Sequence, residues 1–147
     1  MLPNEKNNLL YLLNILEYIG KIQKYIEKAR SAEELFALND QMNFNASLTL
    51  LANIGENVSK LTEKFKQEYS NIEWQEIKSF RNRIVHDYVG VDLAIVYEVI
   101  TNDLRKLKPE FEKAIKEQTR LKIFDIEEIE LCKESKFYRH VDFEKIT

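Results

Sequence analysis

The chain has few of the residues that break a helix or staple a fold. Three glycines and two prolines in 147 residues leave few turn formers. This disfavours a many-stranded sheet, because glycine costs about 1 kcal/mol and proline about 3 kcal/mol only where helices must continue. Cys132 is the sole cysteine, so an intramolecular disulfide and a disulfide-built secreted scaffold are excluded. His86 and His140 are the only histidines, too few for a histidine-rich metal centre, and no CxxC pair or glycine-rich phosphate loop is present. The apolar stretch from Leu9 to Ile19 is interrupted by Asn14 and Glu17. It falls short of the ~20 residues that cross a membrane, and no signal peptide is visible. Lys and Arg number 22 against 25 Asp and Glu, a net charge of −3. Any nucleic-acid contact must therefore come from a local patch. The expectation is a cytoplasmic helical protein with no membrane partner and no cofactor.

What is present is apolar residues at helical spacing. Leu9, Leu12, Leu13, Leu16, Ile19, Ile22, Tyr25 and Ile26 recur at steps of three and four and predict a helix over about Glu5 to Lys28. Ser31 with Glu34 reads as a capping box opening a short turn through Leu38. A second long helix is predicted from Asp40 to Tyr69, with Phe44, Leu48, Leu51, Ile54, Val58, Leu61 and Phe65 inward. Gly55 in its middle costs about 1 kcal/mol against alanine, which points to close backbone packing or to a merely tolerated glycine. Ser70 and Glu73 form a second possible capping box before a third helix over Asn71 to His86. Gly90 lies in a break, and Asp92 is the N-cap of a fourth helix carrying Leu93, Val96, Val99, Ile100, Leu104 and Leu107 towards Gln118, with Pro109 a candidate kink. This predicts an all-α, antiparallel up-and-down four-helix bundle over residues 1–119. Residues 120–147 form a C-terminal extension that is not an independent domain, in which Lys122 to Leu131 reads equally as a short strand or a helical turn.

The chemistry concentrates at Arg81-Asn82-Arg83-Ile84-Val85-His86-Asp87-Tyr88. On a regular helix Trp74, Ile77, Arg81, Ile84 and Tyr88 share a stripe. Arg81 thus stands on an apolar face, where a guanidinium needs a cleft or a partner. His86, five residues on, points about 140° away. The two groups meet only if the helix unwinds, if Arg81 reaches around, or if a second protomer supplies the other group across a two-fold axis. A histidine can move protons at a ribose 2′-hydroxyl and a leaving 5′-oxygen, and an arginine can grip the scissile phosphate. Together they allow metal-independent RNA cleavage that leaves a 2′,3′-cyclic phosphate. The structural alternative is a helix end whose cations favour the dipole. His86-Asp87 also suggests a metal phosphohydrolase, but the further ligands such a site needs are missing. Lys60, Lys64, Lys66, Lys78 and Arg83 could form a basic rim or be ordinary solvated residues.

From Leu9 to Lys108 the sequence resembles the HEPN superfamily, and specifically its HepT-like toxin branch. The resemblance rests on Ile54-Gly55-Glu56, on Trp74-Gln75-Glu76-Ile77, on Arg81-Asn82, His86 and Tyr88, and on Gly90-Val91-Asp92. It implies a homodimeric helical bundle with the Arg81 and His86 of both protomers in one cleft. It further implies a ribonuclease toxin acting on cellular RNA, paired with a minimal nucleotidyltransferase antitoxin of a type VII system and possible in larger heteromeric assemblies with it. The antitoxin would silence the toxin by adding AMP to Tyr88; Arg81 would hold phosphate, His86 would be the acid/base and Asn82 a supporting polar group. A non-catalytic helical binding subunit of a nucleotidyltransferase is the competing implication. Two features depart from the family pattern: Asn57 stands where a small alanine-like residue is expected, and residues 120–147 have no counterpart.

Overall fold

In the computed structural model, which describes residues 1–87 and 90–147, the chain is all-helical. The elements are α1 (Pro3–Ile26), α2 (Ala32–Ala37), α3 (Met42–Lys60), α4 (Glu63–Glu68), α5 (Trp74–His86), α6 (Leu93–Glu98), α7 (Leu104–Arg120) and α8 (Ile126–Lys133). A π-helical turn, Val99–Asp103, joins α6 to α7, and a 3₁₀ turn, Phe143–Lys145, lies near the end. The bundle is made by α1, α3, α5 and the α6–α7 rod.

The helix α1 packs mainly on α3 and also against α7. Pro3 opens α1, where the missing N–H costs nothing, and the Glu5 carboxylate accepts the Leu2 N–H at 3.1 Å. Of the predicted stripe, Leu9, Leu12, Leu13, Leu16, Ile19 and Ile22 are fully buried, while Tyr25 and Ile26 at its end are partly exposed. Ser31 caps α2 through the Glu34 N–H, and Asp92 caps α6 through the N–H groups of Ala94 and Ile95, both as expected.

Besides two-residue shifts at both ends of α1, three boundaries differ from the sequence reading. Asn39, Asp40 and Gln41 adopt left-handed backbone (φ 51°, 54° and 68°), so α3 starts at Met42 rather than Asp40. The predicted helix to Tyr69 is two helices, because Asn8 on α1 seizes Thr62. Asn8 Oδ1 accepts the Thr62 N–H at 3.1 Å and its Nδ2 donates to Thr62 Oγ1 at 3.0 Å. Thr62 then caps α4 by accepting from the Phe65 N–H. Val58, Leu61 and Phe65 are all buried at helical spacing, which hid the break. The Ser70–Glu73 capping box does not form. Instead α5 starts at Trp74, whose indole N–H donates to the carbonyls of Lys66 and Tyr69 and ties α4 to α5.

Pro109 lies inside α7, which continues to Arg120. The ambiguous segment after Lys122 is helical: Asp125 caps α8 by accepting the Glu127 N–H at 2.9 Å. The extension joins the same core as the bundle, through Phe124, Ile129, Cys132, Phe143 and Ile146. No helix among the described residues is long and apolar enough to cross a membrane.

Candidate active site

The helix α5 rests on α3, and the point of closest approach is Gly55. A Cβ on Gly55 would lie 2.3 Å from Arg81 Cβ and 2.6 Å from its Cγ. Any side chain there would press on Arg81, so of the two readings of Gly55 close backbone packing is the one observed, and its neighbour is Arg81 itself. The guanidinium then runs along α3. Its Nη2 donates to Glu56 Oε2 at 2.6 Å, and its Nη1 donates to Asn82 Oδ1 at 2.9 Å. A charged hydrogen bond this short, on side chains that are 31% and 44% exposed, fixes the head of Arg81 while leaving its outer edge open to solvent.

His86 is the last residue of α5 and is exposed. Among the described residues its ring makes no hydrogen bond or ion pair. The helix is regular up to it, for the Asp87 N–H still donates to the Arg83 carbonyl at 2.9 Å. The separation of about 140° around the axis therefore stands. Unwinding does not bring Arg81 and His86 together, and with its guanidinium held by Glu56 and Asn82, Arg81 does not reach around. Tyr88 lies outside the described residues.

His140 takes no part in this site. Its backbone N–H donates to Glu17 Oε1 at 2.6 Å and its Nδ1 lies 2.7 Å from Glu17 Oε2, a carboxylate that is fully buried on α1. Of the suggested basic rim, Lys66 pairs with Glu63 at 3.7 Å and the Lys60 ammonium lies 5.9 Å from the centroid of the Tyr11 ring. Lys78 and Arg83 are exposed, without an ion pair among the described residues.

The reading of the motif alone missed Glu56 as the partner of Arg81. The signal was Gly55-Glu56: a glycine that lets two helices touch places the next side chain beside the contact. It also missed the purpose of Asn57. Asn14 Nδ2 donates to Asn57 Oδ1 at 3.1 Å, and Tyr138 in the extension donates to Asn14 Oδ1 at 2.7 Å. The two departures from the family pattern are thus one feature, since the amide of Asn57 is part of the seat on which the extension docks.

Several named proteins are similar to this chain. A Methanocaldococcus jannaschii protein named "Gamma-glutamylcyclotransferase and putative RNase" is 32% identical over 108 residues, 74% of this chain, which spans only about half (47%) of that protein's length. A second protein of the same organism, named "Putative RNase", is 32% identical over 107 residues, covering 73% of this chain and 86% of its own. A Thermococcus cleftensis protein named "Probable ribonuclease HepT" is 30% identical over 103 residues, covering 70% and 91%. No solved structure matches the chain. The model of the Ribonuclease HepT-like family matches residues 15–114, a span that takes in Gly55, Glu56, Arg81, Asn82 and His86, and the chain belongs to that family.

Proposed function

We propose that the protein is the toxin of a toxin–antitoxin pair, a metal-independent endoribonuclease whose active site is completed across a homodimer cleft. The observation that carries this reading is the geometry of α5: Arg81 is held by Glu56 of α3 and by its neighbour Asn82, while His86 is exposed on another face. One protomer offers half a site, and a two-fold axis beside α5 would set the arginine of one copy against the histidine of the other. Family membership supports RNA as the substrate.

In the cleavage step His86 takes the proton of the ribose 2′-hydroxyl as that oxygen attacks phosphorus. The P–O5′ bond breaks, the leaving 5′-oxygen takes a proton from water, and a 2′,3′-cyclic phosphate remains. Arg81, oriented by Glu56 and supported by Asn82, neutralises the charge that grows on the phosphoryl oxygens. A cognate minimal nucleotidyltransferase would switch the enzyme off by attaching AMP to Tyr88, two residues from His86 in the chain, adding bulk and a negative charge that would compete with RNA.

Incubation of the purified protein with total RNA in EDTA tests the chemistry. General acid–base catalysis contributes on the order of 10²–10⁴ in rate, so His86→Ala loses at least ~100-fold. Equal cleavage by both proteins, or none by the wild type, would replace this reading with the non-catalytic binding subunit. Mixing inactive Arg81→Ala and His86→Ala proteins tests the cleft. In a mixed dimer one composite site keeps both groups, so activity returns; a site built within one protomer stays dead. Intact mass after co-expression with a nucleotidyltransferase tests Tyr88. The mass rises by AMP units in the wild type and not in Tyr88→Phe.

A further inference from the structure

One turn away from the Arg81–Glu56 pair, on both helices at once, the α3–α5 groove widens into a pocket of about 430 Å³. On α3 the step from Glu56 to Ser59 is three residues, and Ser59 Oγ donates to the Glu56 carbonyl at 2.7 Å. On α5 the step from Arg81 back to Lys78 is also three residues, about 4.5 Å along the axis. Lys66 and Gln67 of α4 close the far side, and Ile72 and Trp74 give an apolar floor. None of the described residues of the stretch from Arg81 to Asp87 lines this pocket.

Its position on α5 is the telling feature. Gln75, Lys78, Asn82 and His86 fall within about 80° of one another around the helix, on a single stripe. The pocket stands at the N-terminal end of that stripe and His86 at its C-terminal end, about 12 Å from Lys78 along the axis. A strand held at His86 and passing Asn82 therefore runs into the pocket. The groups waiting there are unspent. Lys78 has no ion pair, and Gln67, Ser70 and Gln75 make no side-chain hydrogen bond, among the described residues. An ammonium suits a phosphate, and amides and hydroxyls that both donate and accept suit base edges. Glu63 and Glu73 also line the pocket. Their carboxylates disfavour a free anion but can accept from the exocyclic amino group of a base. The volume lies within the ~300–1,000 Å³ of small-ligand sites.

We propose that this pocket is a nucleotide subsite, which holds a residue of the RNA strand away from the scissile phosphate, with Lys78 on the backbone and Gln67 and Gln75 on the base. The proposal rests on the ribonuclease reading and adds to it a determinant of substrate length and choice.

The test compares a twelve-residue single-stranded RNA with a dinucleotide too short to reach the pocket. Lys78→Glu is made beside Lys133→Glu, an identical charge reversal on α8. Lys78→Glu raises KM for the long substrate by about tenfold and reduces the slope of log affinity against log salt by about one, while its effect on the dinucleotide is several-fold smaller. Equal loss on both substrates, or an equal effect of Lys133→Glu, overturns the subsite. If the wild type cleaves neither these substrates nor total RNA, the ribonuclease reading falls by itself. Fluorescence anisotropy of the labelled twelve-residue RNA on His86→Ala protein then still decides the pocket, which is refuted if Lys78→Glu leaves the affinity unchanged.

Discussion

Replacing Gly55 by alanine sets two well-characterised effects against each other. In an open helix the change stabilises by about 1 kcal/mol, because glycine loses more backbone freedom on folding. Here the new methyl would meet Arg81 Cβ at 2.3 Å and Cγ at 2.6 Å. Cγ can turn about χ1 but Cβ is fixed to the α5 backbone, so the two helices must part, at an overpacking cost of about 1–3 kcal/mol. The expected net effect is a destabilisation of up to about 2 kcal/mol, together with an Arg81 moved off Glu56. A displacement near 1 Å at a catalytic cation can cost about 100-fold in rate. The mechanism has a sharper signature than the single value. In an Arg81→Gly background both clashing atoms are gone and the nearest remaining one is the Arg81 Cα, at 3.6 Å. The same Gly55→Ala change should then stabilise by about 1 kcal/mol. In an Arg81→Ala background Cβ remains and the penalty persists. Urea denaturation followed by helical ellipticity gives each value, and the cycle should show a coupling of about 1–3 kcal/mol. Equal effects of Gly55→Ala in all three backgrounds would refute the argument that Arg81 is positioned by contact with a bare backbone.

His140→Ala removes the ring bond to the buried carboxylate of Glu17 and should cost about 1–2 kcal/mol. Trypsin cleavage at Lys136 and Arg139 should become faster, and unchanged proteolysis would count against a docked extension. Asn57→Ala and Tyr138→Phe each cut the chain that runs through Asn14, so their destabilisations in urea should be clearly less than additive. Strict additivity would separate the two sites. Burial pushes the Tyr138 hydroxyl up to about 12, and burial with the bond to Glu117 does the same for Tyr69. Between about pH 10 and 12 the unfolded chain releases these protons and the folded one keeps them, so stability is full below pH 10 and falls as pH rises through that window. Absorbance near 295 nm should show late tyrosinate formation, and Tyr138→Phe should remove part of it.

Much of the fold was legible in the sequence. The stripe of α1 is buried as its spacing requires, and Ser31 and Asp92 cap the helices they precede. What failed failed for identifiable reasons. Apolar periodicity runs unbroken across Leu61, but the backbone turns there because Asn8, far away in sequence, binds Thr62. Ser70 and Glu73 had the spacing of a capping box. The Trp74 indole N–H, with the carbonyls of Lys66 and Tyr69 as its acceptors, set the start of α5 instead. The extension could not be placed because its anchors, Glu17 and Asn14, are polar residues on an otherwise apolar helix and name no partner until the helix is packed.

For the motif at Arg81 to His86, the sequence by itself determined the residue types, their placement on one helix and the angle between them. These follow from the 100° rotation per residue and need no neighbour. It also marked Gly55 as a costly residue within a helix, compatible with close packing or with mere tolerance. Only the tertiary structure decided which atom Gly55 makes room for, which carboxylate holds Arg81, and that α5 stays regular as far as His86. Those depend on where α3 and α5 cross, and the crossing is set by side chains tens of residues apart meeting in the core.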